Sequence, residues 1–407
     1  IFVLFQVAMP KFTILQTLID RLNLVSREIL TGIPVIRAFS REKHEEDRFE
    51  KANLDLTKTN LFVNRCMTFM MPIMMLIMNG VSVLIIYSGA HAVDNGTMQV
   101  GNVMAFIQYA MQIIMSFLMI TAMSIMLPRA NVAALRIDEV LKTEVSIQDP
   151  ETPVHPSESV KGEIEFDHVS FAYPEAGENV LTDISFKAKK GQTIAVIGST
   201  GSGKSTLINL IPRYYDVTKG SVKVDGVDVR DMTQKELRDK LGYVPQKGVL
   251  FSGTIDSNIR YGKPEITDAQ VKEAAEVAQA TEFIDTKPEK YESPVSQGGT
   301  NVSGGQKQRL SIARAIAKEP EIFIFDDSFS ALDFKTDSQL RKALKEYTKD
   351  ATTVIVAQRI STILGADQII VLDDGHMAGI GTHKELMANC EVYQQIARSQ
   401  LSEEELA

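Results

Sequence analysis

Only two cysteines occur in the 407-residue chain, Cys66 and Cys390, far apart and without metal-ligand spacing. That excludes a disulfide framework and a cysteine metal site, and it suits a reducing compartment. Charge is missing from two long stretches: no Lys, Arg, Asp or Glu lies between Arg65 and Asp94, nor between Asp94 and Arg129. There is no basic excess either. The net charge of −9 gives no sign of a nucleic-acid partner. No internal repeat or low-complexity tract appears, so the length allows two or three ordinary domains. The opening apolar run, Ile1 to Ala8, has no basic region before it and does not read as a signal peptide.

What is present begins with Gly198-Ser199-Thr200-Gly201-Ser202-Gly203-Lys204-Ser205, a full phosphate-loop pattern. It follows the apolar run Thr193 to Ile197 and opens a helical stretch from Thr206, the strand–loop–helix context that this motif requires. The glycines let successive N–H groups curl around a β-phosphate, and the helix N-terminus adds positive potential. Lys204 is placed to reach the β/γ-phosphates, and Ser205 to offer its hydroxyl to Mg²⁺. Downstream, Ile322-Phe323-Ile324-Phe325-Asp326 reads as a buried strand that presents a carboxylate to the metal. Between the two lies Val302-Ser303-Gly304-Gly305-Gln306 ahead of a helical run. Ser303 is a good N-cap, and Gly304 and Gly305 bare the backbone at a second phosphate-facing helix end.

With these motifs the chain resembles the ATP-binding cassette family over residues 160 to 400. The phosphate loop, through Thr206, is similar to Walker A, Phe323 to Asp326 to Walker B, and Val302 to Gln306 to the signature. The resemblance implies further roles. Tyr173 would stack on adenine, Gln246 would sense Mg²⁺ beside Ser205 and Asp326, and Ser330 to Asp333 would form the D-loop. It also implies ATP and Mg²⁺ as cofactors. Two cassettes face each other head to tail, each ATP held by one Walker A and the other chain's signature. Two positions depart from the pattern. Asp327 stands where the family has a glutamate base, and Gln358 where it has a switch histidine. Aspartate is one methylene short, and a base must lie within hydrogen-bond reach of its proton. Glutamine cannot carry an imidazole's charge. The pair predicts a slow site and hence a heterodimer with a second half-transporter.

The two charge-free stretches each exceed the roughly 20 apolar residues that cross a bilayer. Their link holds Asp94 but no Lys or Arg, whereas Arg37, Arg41, Lys43, Arg65, Arg129 and Arg136 flank them. The positive-inside rule then puts the link outside and both flanks in the cytosol. Ahead of them Leu15, Leu18, Leu22, Val25 and Ile29 mark a helix with one apolar stripe. Gly32 and Pro34 are expected to break it, with a short turn and a second charged helix following. This region is similar to the second intracellular loop of type IV exporters, which carry a coupling helix there. A half-transporter of that kind has six spans, so the expectation is a chain that starts near the end of span four. Thirteen of the 17 methionines fall between Met67 and Met126, which fits a cavity for hydrophobic small molecules or ordinary lipid-facing packing.

The expected fold is therefore a partial all-α membrane domain at 1–147, a proline-marked linker at 148–160, and an ATPase cassette at 161–400. The cassette is of the α/β P-loop NTPase class with antiparallel β and helical subdomains; a tail covers 401–407. The expected function is ATP-driven export of the multidrug type from a bacterial plasma membrane. A lipid or peptide exporter of the same architecture, or a soluble regulatory ATPase, are the alternatives.

Overall fold

The computed structural model describes residues 2–174 and 176–401. It separates into two compact units, one ending at Thr143 and one starting at Glu144.

The first unit holds three helices: α1 (Phe2–Ala38), α2 (Glu42–Asp94) and α3 (Val100–Lys142). The predicted stripe is the face that α1 turns inward. Val25 is buried, and Leu15, Leu18, Leu22 and Ile29 are half-buried among exposed neighbours. Arg48 of α2 ties the pair by binding Glu28 of α1, and it lies 3.3 Å from Glu45 on its own helix. Gly32 and Pro34 do not break α1, contrary to the sequence reading. The turn falls later, at Phe39–Arg41, where Ser40 adopts φ 51°. A helix-interior proline removes one hydrogen bond and strains one turn, and the bonds on either side continue the helix. The charged segment from Glu42 is likewise not a separate helix but the first turns of α2.

α2 ends in a Schellman motif, which fixes the link to α3. Gly96 takes φ 68° and donates to the Val93 carbonyl, while Thr97 N–H reaches Ala92 at 2.9 Å. Gly89 lets α3 approach closely, since a Cβ there would lie 2.8 Å from Val103. Both helices contain windows able to cross a bilayer, with mean hydropathy 2.2 in α2 and 1.3 in α3. Leu76, Leu84, Met104 and Met115 on these windows are exposed, as lipid-facing side chains would be.

The second unit is built on two larger sheets, with a two-stranded ribbon of Gly253–Thr254 and Pro294–Val295 beside them in the chain. Strands β1 (Ile164–Phe171), β2 (Leu181–Ala188) and β4 (Lys219–Val224) make most of an antiparallel sheet. A six-stranded sheet runs His376–Gly381, Gln368–Asp373, β3 (Thr193–Gly198), Thr352–Val356, Ile322–Asp326 and Leu241–Val244. Only its first pair is antiparallel. Ile322–Asp326 is buried throughout, as a strand covered on both faces must be. Parallel strands all point their C-terminal ends one way, and in such sheets ligands bind at that edge. Residues 144–160 lie along this unit: Val154 N–H donates to Asp231 O at 2.8 Å, and Asp149 accepts from Gln234 N–H at 2.8 Å. The Gln234 backbone bond holds the Asp149 carboxyl below its ordinary range.

Candidate nucleotide-binding site

Three neighbouring parallel strands deliver the site. β3 ends at Gly198, Ile322–Asp326 ends at its carboxylate, and Thr352–Val356 leads to Gln358. The loop from Gly198 to Gly203 is the turn between β3 and the helix α4 (Lys204–Leu210). Gly198 is required by close approach: a Cβ would sit 2.1 Å from the Leu372 carbonyl oxygen. Gly203 is required by conformation, with φ 93° just before the helix. Lys204 folds back over the loop, its Nζ donating to Gly198 O at 3.0 Å and Ser199 O at 2.7 Å. Burial lowers its pKa, while Asp327 and Asp326 pull it up. An ammonium held only by carbonyls of a phosphate loop can exchange them for phosphate oxygens.

Ser205 Oγ donates to Asp326 Oδ1 at 3.0 Å, which joins the start of α4 to the end of Ile322–Asp326, two strands over from β3. Burial raises the pKa of Asp326, against the Ser205 bond that lowers it. Its neighbour Asp327 is in the left-handed region at φ 45°, rare for a residue with a side chain. Burial raises its carboxyl too. Its Oδ2 accepts from Gln358 Nε2 at 2.8 Å and from Gln246 Nε2 at 3.3 Å. The two departures from the family pattern therefore touch each other. A cavity of about 210 Å³ opens beside them, lined by Asp327, Ser330, Asp337, Gln358 and Arg359.

Tyr173 is half-buried, edge-on to Tyr215 at 5.1 Å, and its hydroxyl meets Thr206 Oγ1 at 2.9 Å. It thus stands beside the first turn of α4. The helix Gly304–Ala317 starts in a capping box: Ser303 Oγ accepts from Gln306 N–H at 3.3 Å, and Gln306 Oε1 accepts from Ser303 N–H at 3.1 Å. The D-loop backs this turn, for a Cβ on Gly305 would lie 3.2 Å from Ala331 O. Among the described residues, no hydrogen bond joins Ser303–Gln306 to the phosphate loop.

Sequence reasoning missed two residues. Gln308 accepts from Gly248 N–H at 3.0 Å and donates to Pro245 O at 3.1 Å, so it brackets Gln246. Gln400 brackets the Gln358 segment from the far end of the chain. Gln308 stands two residues past the signature and could have been noticed there; nothing local marks Gln400.

A phosphate loop, a buried carboxylate strand and a detached capped helix define a cassette-type ATPase, here following a helical membrane region. Residues 181–330 match the ABC transporter family and residues 2–117 the ABC transporter transmembrane region. An uncharacterized ABC transporter ATP-binding protein of Mycobacterium tuberculosis (strain ATCC 25618 / H37Rv) is 46% identical over 96% of this chain and 68% of its own length. YgaD of Bacillus subtilis (strain 168), provisionally named a multidrug export ATP-binding/permease protein, is 39% identical over 88% of this chain and 62% of its own. A bacterial Atm1-family ABC exporter solved with ATP bound superposes with TM-score 0.82 at 28% identity, over 98% of this chain and 70% of that one. The chain belongs to the ABC transporter family. It carries an N-terminal helical transmembrane region and a C-terminal ATP-binding domain, and it resides in a membrane.

Proposed function

We propose that this chain is one half of a heterodimeric multidrug-type exporter, and that the ATP site on its own phosphate loop turns over slowly. The observation that carries this is the pair of amides on Asp327 Oδ2, from Gln358 at 2.8 Å and Gln246 at 3.3 Å. A base must accept a proton from the attacking water, and an oxygen already engaged by two donors is poorly placed to do so. Neither glutamine can take that proton onward. The relative named for multidrug export supports the substrate class.

ATP binds with Lys204 on its β/γ-phosphates and Tyr173 beside its base. Ser205 and Asp326 would hold Mg²⁺, a hydroxyl and a carboxylate already 3.0 Å apart. That donor set fits, because Mg²⁺ keeps waters and phosphate oxygens and takes only one or two protein carboxylates. When bound, the ion neutralises charge on the transferring phosphoryl group. Ser303 to Gln306 complete the partner's site, which does most of the hydrolysis and drives alternating access.

The test is ATPase rate in the reconstituted pair, one substitution at a time. Lys204→Ala should remove most nucleotide affinity from this chain. Ser303→Arg places a bulky cation at the exposed helix end and should abolish most turnover. Asp327→Asn should leave most of it. General-base catalysis contributes on the order of 10² to 10⁴ in rate, so the two results separate clearly. Equal loss from Asp327→Asn and from a base knockout in the partner would mean two equivalent sites.

A further inference from the structure

Gln400 is the last residue of the helix Glu391–Gln400 and is exposed, yet both ends of its amide bind one short segment. Nε2 donates to the Gln358 carbonyl at 2.8 Å, and Oε1 accepts from Ile360 N–H at 2.8 Å. A side-chain amide set this way copies the donor–acceptor pair that a neighbouring strand would offer. It does so where the sheet stops. The ladder through Thr352–Val356 makes its last contact at Ala357 N–H, 3.1 Å from Val196 O. Gln358 lies just beyond, exposed.

The helix behind Gln400 is well anchored. Tyr393 and Ala397 are buried in one cluster with Ile360, Ile363 and Leu386, and the Tyr393 hydroxyl meets His383 Nδ1 at 2.8 Å. The same device recurs on the other glutamine of the site, where Gln308 brackets Gln246 between Pro245 O and Gly248 N–H. Both glutamines that hold Asp327 Oδ2 thus stand on backbone pinned by a further glutamine.

We infer that Gln400 is a positioning residue for the switch segment: it fixes the backbone of Gln358 to Ile360 and thereby aims the Gln358 amide at Asp327. The C-terminal helix is then a working part of the ATP site. This rests on the reading above, in which ATP binds on this chain's phosphate loop, beside Asp327 and the Gln358 amide that holds it. Freed from the clamp, the switch segment loses its set geometry and bound nucleotide leaves sooner.

The experiment follows release of mant-ATP from the full chain in nanodiscs, with the melting temperature measured in parallel. Gln400→Met keeps the length of the side chain and removes both bonds. It should speed release about three- to tenfold, the range that one or two amide hydrogen bonds sustain. Gln400→Glu keeps the acceptor and should fall between. Because Gln400 is exposed, the melting temperature should move little. A docking role for the helix alone is separated by a double-mutant cycle. In a Gln358→Ala background, Gln400→Met should add nothing, since a positioning residue acts only through the group it positions. Unchanged release in Gln400→Met overturns the inference, and so does an equal acceleration in the Gln358→Ala background. Lys204→Ala serves as the control. If that variant still binds mant-ATP normally, the nucleotide reading has failed and takes the clamp with it.

Discussion

Asp327 bears two penalties, a left-handed backbone at φ 45° and a carboxyl whose pKa burial raises above 3.8. The sign of the second is opposite to that of an ordinary surface aspartate. Its neutral form is favoured on folding, so stability is lost as pH rises from 3.8 through the raised value. Asp326 adds to the loss for the same reason. Asp327→Asn removes the charge, and asparagine tolerates the left-handed region. The nucleotide-free variant should therefore melt higher in a calorimetric scan, each kcal/mol regained being worth about 1–2 °C for a unit of this length. A lower melting temperature would mean that the ionised carboxylate stabilises the fold. The same residue tests the slow-site reading from the other direction. Asp327→Glu with Gln358→His supplies a longer base and an imidazole, and turnover at this site should rise by on the order of 10². Single-turnover hydrolysis on this chain would detect it, and an unchanged rate would place the defect elsewhere.

At the scale of elements, Arg314 holds the signature helix to the chain around it. Its Nε donates to Asn258 O at 2.8 Å, Nη2 to Asn258 Oδ1 at 3.0 Å, and Nη1 to Val249 O at 3.0 Å. The guanidinium also lies over the Phe251 and Tyr261 rings, at 5.5 and 5.4 Å. Lysine offers a point charge where a planar fork is used, so Arg314→Lys should cost about 2–3 kcal/mol. Urea denaturation would measure it, and a loss under 0.5 kcal/mol would show the fork to be ornamental. Two strands and the phosphate loop of this unit were legible in the sequence for a local reason. Thr193 to Gly203 and Ile322 to Asp326 carry their signal in adjacent residues, as buried apolar runs and glycine spacing. Pro34 misled because a breaker is read from its own turn, whereas α1 is held by packing along α2 and by the Arg48–Glu28 pair. Gln400 was hidden because its partner lies 42 residues away in the chain.

For the molecule as a whole, the decisive question is sidedness, and charge alone argues it. The α1–α2 turn is flanked by Arg37, Arg41 and Lys43, while the α2–α3 link, Asn95–Gln99, carries no Lys or Arg. Cations near span ends stay in the cytosol, so the turn should be inside and the link outside. Two crossings return the chain to the side it left, which would put the cassette in the cytosol with its ATP. Cysteine labelling can read this directly, because the background is small. Cys390 is buried and Cys66 half-buried, and Cys66→Ser with Cys390→Ser removes both. Single cysteines are then placed by Asn95→Cys and Ser40→Cys. A membrane-impermeant maleimide on intact cells should modify Asn95→Cys and leave Ser40→Cys untouched until the cells are opened. The reverse pattern would put the phosphate loop outside, where it has no ATP to bind. Labelling of both positions from outside would mean that α2 does not cross the bilayer, whatever its hydropathy.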